Sequence, residues 1–166
     1  IPAGVTHSAN MADPENWVNP LRGYAYDSFN PDVLMTAIVR NGNVEFTSGA
    51  SYKILVIPGK TALNPNYKWM SFAVASKLLE LVKAGATIIV TEQPAHQPGL
   101  LKTVNNQYSP VINALWTGNF KTMGTGVGQF QIKTIGQGKV IKGPYQPETF
   151  DKLGLPRDLI VTDEQG

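Results

Sequence analysis

A chain of 166 residues with no cysteine and a net charge of +2 excludes several chemistries at once: disulfides, thiolate nucleophiles and sulfur-ligated metals. Charged residues make up 16% of the chain, below the usual quarter or so, and no basic run exceeds two residues, so a nucleic-acid partner is not indicated. The length is that of about one domain, in which roughly 70% of the unfolded chain's surface can be buried.

No apolar stretch approaches the ~20 residues needed to cross a bilayer, and no membrane partner is expected. The surface must rely on Asn, Gln, Ser, Thr and Gly, which suits contact with carbohydrate or with neighbouring domains. The chain starts at Ile1 without a signal peptide and stops at TDEQG, so both ends are expected to be cut from something longer.

Residues 1–22 are rich in Pro, Asn and Asp and read as an irregular lead-in, pinned by Trp17 and Leu21. Residues 23–166 read as a single α/β domain. A short strand is expected at Tyr24–Tyr26. Asn30 can cap a helix opened by Pro31 and running through Val33, Leu34, Ala37 and Ile38. Asn41-Gly42 is a hairpin signal joining AIVR to NVEF, with Val44 and Phe46 on one face.

Ile54–Ile57 and Ile88–Val90 are apolar runs too dense for half-exposed strands. A helical segment joins them, so they read as parallel strands covered on both faces. Asn64 and Pro65 mark the expected start of that helix, Met70, Val74, Leu78 and Leu81 its apolar stripe, and Gly85 its end. A second helix is expected over Ser109–Trp116 with Ser109 as cap, then a loop over 117–126. GQFQIKTIGQGKVIKG reads as a hairpin turning at Gly136–Gly138. PETFDKLGL reads as a short helix ended by Gly154, and DLIVTD as a final strand.

Ligands of parallel sheets lie beyond the carboxyl ends of the strands, which here means Pro58–Thr61 and Thr91–Pro98. Asp27 and Glu92 both follow predicted strands. One reading gives them a shared crevice and the paired-carboxylate chemistry of glycoside hydrolysis; the other makes Asp27 a turn former and Glu92 a solvated residue. His96 lies in the same loop as Glu92, whereas His7 falls in the lead-in, and neither has partners spaced for a metal. Gly124, Gly126 and Gly128 form a G-x-G-x-G that precedes a strand rather than a helix, so a turn is favoured over a phosphate site. No G-x-S-x-G surrounds Ser28, Ser48 or Ser51. Trp69 and Trp116 fall on predicted helices, where packing is favoured over a sugar platform. Exposed, coplanar rings at Tyr67, Trp69 or Tyr108 would instead indicate a carbohydrate-binding module.

GYAYDSFNPDVLM at Gly23–Met35 resembles the G-Y-D-Y-D-F-I-N-A-D-A-L segment of glycoside hydrolase family 106, the α-L-rhamnosidases. The likeness continues in order. It runs through Gly42–Phe46 with Ser48–Tyr52, Lys53–Gly59, LLELVKAGATIIV, Gln93-Pro94 with Pro98-Gly99-Leu100, Gly136–Gly143 and LGLPRD. Ala25 stands where the family has Asp, and Arg157 separates Pro156 from Asp158.

The resemblance implies a three-layer, flavodoxin-like or glutamine-amidotransferase-like domain. It would have a mainly parallel sheet, a small antiparallel hairpin, and a (β/α)₈ catalytic barrel attached. Catalytic glutamates and calcium ligands of such enzymes belong to barrel segments with no counterpart here. No catalytic residue, metal ligand or cofactor is therefore carried over. The implied role is a non-catalytic accessory domain whose partners are other domains of the parent chain and, through Asp27, Glu92 and His96, a carbohydrate. A carbohydrate-binding module and a self-sufficient hydrolase are the alternatives. A periplasmic or extracellular location follows from the resemblance alone.

Overall fold

The computed structural model describes residues 23–60, 64–98 and 107–158. In chain order its elements are α1 (Pro31–Met35), β1 (Ile38–Arg40), β2 (Asn43–Glu45), β3 (Ser51–Tyr52), β4 (Ile54–Ile57) and α2 (Phe72–Ala84). There follow β5 (Thr87–Val90), α3 (Tyr108–Trp116), β6 (Lys121–Met123), β7 (Phe130–Ile135), β8 (Gly138–Lys142) and α4 (Pro147–Lys152). The lead-in with Trp17, Leu21 and His7, and the strand expected at the end of the chain, lie outside the described residues.

The main sheet has the order β4-β5-β8-β7-β6. β4, β5 and β8 are parallel, with Ile54 opposite Thr87 and Thr87 opposite Lys139. β7 runs antiparallel to both of its neighbours, β8 and β6, so the sheet is mixed. The chain reaches β8 through the β7–β8 hairpin. A strand arriving by a tight turn must run antiparallel to its predecessor, whereas β5 arrives through a helical crossover.

Alternation within β4, β5 and β8 divides the core in two. Leu55, Ile88, Val90 and Val140 pack with Ala75, Leu78, Leu81 and Val82 of α2 and with Ile112, Leu115 and Trp116 of α3. Ile54, Val56, Ile89 and Ile141 face the other way, onto Phe150 of α4 and onto Tyr24 and Tyr26. Covering both faces is what makes the strand sequences continuously apolar.

Local signals held where the chain could satisfy them locally. Asn30 caps α1 by accepting from the Val33 N–H at 3.0 Å, with Pro31 in the first turn. Asn41 and Gly42 take φ of 50° and 81°, the mirror-image turn that matches strand twist, and Val44 and Phe46 are buried together. Gly85 ends α2 at φ 123°. α1 stops at Met35 because the chain then enters β1, so Ile38 is a strand residue. β3 and β6 are additions: the first pairs with β2, and the second occupies part of the expected 117–126 loop.

Two expectations failed for tertiary reasons. α2 begins at Phe72 with Ser71 as its cap, not at Asn64-Pro65. The Asn64 amide turns back onto the carbonyls of Pro58 and Gly59, and the Lys68 and Met70 backbones pair with the loop after β5. α3 likewise begins at Tyr108, with Gln107 rather than Ser109 in the cap position.

Tyr24–Tyr26 forms no strand. Its extended backbone is tied instead to the end of the described chain. The Gly23 carbonyl accepts from the Asp158 N–H at 2.8 Å, and the Asp158 carboxylate accepts from the Ala25 N–H at 2.7 Å. Tyr24 donates to Asp151 at 3.1 Å, and Arg157 donates to the other oxygen of that carboxylate at 3.0 Å. The Arg157 hydrogen bond, followed by that of Tyr24, holds the Asp151 carboxyl below its ordinary range. A depressed carboxyl stabilises the fold above its unfolded pKa, and this contribution is lost as pH falls through the lower folded value. Asp151→Asn should therefore flatten the acid limb of stability, which urea-unfolding midpoints from neutral to strongly acidic pH would reveal. An unchanged acid limb would show that this clasp contributes nothing.

Candidate functional site at the carboxyl ends of the strands

The residues that follow β4, β5 and β8 converge at one end of the parallel strands. Val90, Thr91, Glu92, Lys142, Gly143 and Pro144 line a shallow depression of about 380 Å³ there. Glu92 leans over Gly59. A Cβ on Gly59 would collide with Glu92 Oε2 and Thr91 Oγ1, so the absent side chain is what lets the carboxylate settle. Its own backbone N–H is the largest influence lowering the Glu92 pKa, followed by the Thr91 hydroxyl and the backbone N–H and charge of Lys60. Glu92 is thus an ionised acceptor at neutral pH and is unsuited to act as a general acid, which needs a raised pKa.

Beside the depression, two loops are zipped together. Ala95 and His96 donate their N–H groups to the Lys68 carbonyl at 2.8 and 2.9 Å, and Met70 N–H donates to the His96 carbonyl at 3.0 Å. The Tyr108 hydroxyl donates to that same His96 carbonyl at 3.2 Å. Trp69 and His96 form an isolated parallel bridge, and their rings sit 4.9 Å apart, tilted by 39°. Trp69 is 52% exposed, whereas Trp116 is 1% exposed. Packing was the right expectation for Trp116. Trp69 instead lies in the loop before α2, where the expected helix is replaced by pairing with residues 95–96.

Asp27 is placed elsewhere. Its carboxylate accepts from the Tyr52 hydroxyl, just before β4 begins, and this hydrogen bond is the main cause raising the Tyr52 pKa. Glu92 lies against Gly59, just after β4 ends. At about 3.3 Å per residue, the chain from Tyr52 to Gly59 sets the backbone positions that hold the two carboxylates about 20 Å apart. Paired hydrolytic carboxylates need about 5–10 Å. The structure brings Glu92 and His96 to one end of the sheet and leaves Asp27 at the other.

The glycine motifs serve packing. Gly124, Gly126 and Gly128 have φ of 73°, 66° and 74° in the β6–β7 connection. The Lys152 ammonium donates to the Thr125 carbonyl at 2.9 Å and to that of Val127. The loop thus turns carbonyls toward a cation, the opposite of the N–H cradle that a phosphate requires. Gly136, Gly138 and Gly143 allow close approach to Lys83, to Val82 and Ala86, and to Phe130 respectively. Among the described residues, no group of three or more His, Asp or Glu side chains could hold a metal ion.

The family pattern described as alpha-L-rhamnosidase matches residues 6–166. The chain belongs to glycoside hydrolase family 106.

Among solved structures, this family member is similar to a rhamnosidase from Novosphingobium sp. PP1Y, with 23% identity and a TM-score of 0.60. The alignment covers 81% of this chain and 12% of that one. At that identity the likeness concerns the fold, and this family 106 chain spans about an eighth of the solved rhamnosidase's length. A comparison with curated proteins finds no match.

Proposed function

We propose that this chain is a non-catalytic α/β accessory domain of a larger α-L-rhamnosidase-like glycoside hydrolase. Its parent would act on plant-type polysaccharide in the periplasm or outside the cell. The fold we assign it is glutamine-amidotransferase-like, without the cysteine nucleophile, since the chain has none. The separation of Asp27 and Glu92 by the length of β4 carries this reading. Neither carboxylate has the other within reach of one glycosidic bond, and Glu92 is held in its ionised form. The family match supports the parent's class.

In this role Glu92 and His96 would form part of a wall of the parent's substrate cleft, and Asp27 would organise the far end of the sheet. Incubating the chain with an aryl α-L-rhamnoside should release no phenol above the buffer rate. Stoichiometry-corrected turnover that survives repurification would overturn the accessory reading in favour of a self-sufficient hydrolase. The exposed Trp69 ring favours a second reading, a carbohydrate-binding module.

A further inference from the structure

We infer that Trp69 and His96 form a stacking platform for a single pyranose ring, with a 6-deoxyhexose as the sugar class. This inference rests on the accessory-domain reading and names what that domain touches. Three observations converge on it.

The first is rigidity. An exposed indole on a free loop would lose rotamer entropy on binding, but this one is already held. The Trp69 backbone N–H donates to the Asn66 carbonyl at 2.8 Å, which fixes the main chain that carries the indole. The backbone ladder between residues 68–70 and 95–96 fixes the loop on both sides, and the His96 ring braces the indole at 4.9 Å. Pre-ordering of this kind lowers the cost of binding.

The second is the setting of the ring. Asn66, Lys68, Glu92, Gln93 and His96 are exposed polar residues in the same two loops. A lone aromatic face among amide, carboxylate and imidazole groups suits a ligand with one apolar face and a rim of hydroxyls. A protein partner would be better matched by contiguous apolar surface. A 6-deoxyhexose fits the indole because its methyl group and ring C–H bonds enlarge the apolar face.

The third is position. The platform lies at the carboxyl end of the parallel strands, beside the Glu92 depression, where open α/β sheets bind ligands. Glu92, ionised, is an acceptor for sugar hydroxyls at that edge.

The test is a titration of the ¹⁵N-labelled chain with methyl α-L-rhamnopyranoside and with an oligosaccharide ending in α-L-rhamnose, using sorbitol as the ringless control. The Trp69 indole N–H signal should move and saturate at millimolar sugar. Trp69→Ala should weaken binding about tenfold or more, with an unchanged unfolding midpoint. Trp69→Phe, which keeps a ring, should retain part of the affinity, and His96→Ala should fall between. The platform is overturned if neither sugar binds, if sorbitol produces the same shifts, or if folded Trp69→Ala binds as well as the parent. Those results leave the accessory role standing. Turnover of the aryl rhamnoside removes the accessory role without touching the platform.

Discussion

Trp116→Ala is expected to destabilise the domain by about 3–5 kcal/mol, the usual cost of emptying a large aromatic site in a core. Trp116 is the last residue of α3 and is 1% exposed. It belongs to the cluster that joins α2 and α3 to the α-helical face of the sheet, with Leu78, Leu115 and Val140. No nearby side chain can fill the volume of an indole without leaving its own rotamer well, so most of the cavity would persist. The paired substitution Trp116→Phe should cost much less. Among the described residues the Trp116 indole N–H has no hydrogen-bond partner, and removing an unsatisfied buried donor offsets part of the lost packing. Urea denaturation of both variants checks the pair. Equal losses would show that the indole N–H is satisfied and that its polarity contributes to the fold.

Gly138→Ala is expected to cost about 3 kcal/mol or more, at the upper end of overpacking effects. A Cβ at this position would collide with the Val82 and Ala86 carbonyl oxygens and stand 3.0 Å from the Ala86 nitrogen. Those obstacles are backbone, so no rotamer change relieves them. The approach is enforced from both sides. Gln137 N–H donates to the Lys83 carbonyl at 3.1 Å, and Lys139 N–H donates to that of Ala86 at 3.0 Å, seating the β7–β8 turn on the end of α2. To admit a methyl group the turn must lift, breaking those bonds and loosening β8 from β5. Gly154→Ala is the instructive contrast. Gly154 has φ 71° and nothing near its Cβ, so its cost comes from backbone strain alone and should be about 1 kcal/mol. Thermal unfolding of both variants reads the difference. A Gly138→Ala protein as stable as Gly154→Ala would mean that the turn is not seated tightly on α2.

The crossover from β4 through α2 to β5 was legible because its evidence is local and dense. Four consecutive apolar residues in β4, three in β5 and an apolar stripe ended by Gly85 leave few alternatives. The mixed character of the sheet was not legible, since nothing in GQFQIKTIGQGKVIKG says which edge of the hairpin will meet β5. In the structure it is β8 that meets β5, with Gly138 fitted closely against Val82 and Ala86. The same contrast holds at the candidate site. The place of Glu92 and His96 after β5 was legible because residues that follow a buried strand must emerge at its carboxyl end. Trp69 was misplaced on a helix because Asn64-Pro65 reads as a helix start and Met70 as the first residue of the apolar stripe. Their carbonyls and N–H groups found partners in residues 95 and 96 instead.

What the chain determines by itself, then, is the set of elements whose hydrogen bonds close within a few residues and whose apolar period admits one reading. These include the Asn30–Pro31 start, the Asn41-Gly42 turn, β4, β5, the body of α2 and the β7–β8 hairpin. The ordered family segments and the lack of a cysteine nucleophile are equally plain at that level. Only the tertiary structure decided where Asp27 and Glu92 stand relative to each other, which tryptophan is exposed, and which helix start is used. Each depends on a contact between residues distant in sequence: Tyr52 with Asp27, Gly59 with Glu92, Lys68 with His96. The free energy of such contacts exceeds the few tenths of a kcal/mol by which local propensity separates one conformation from another.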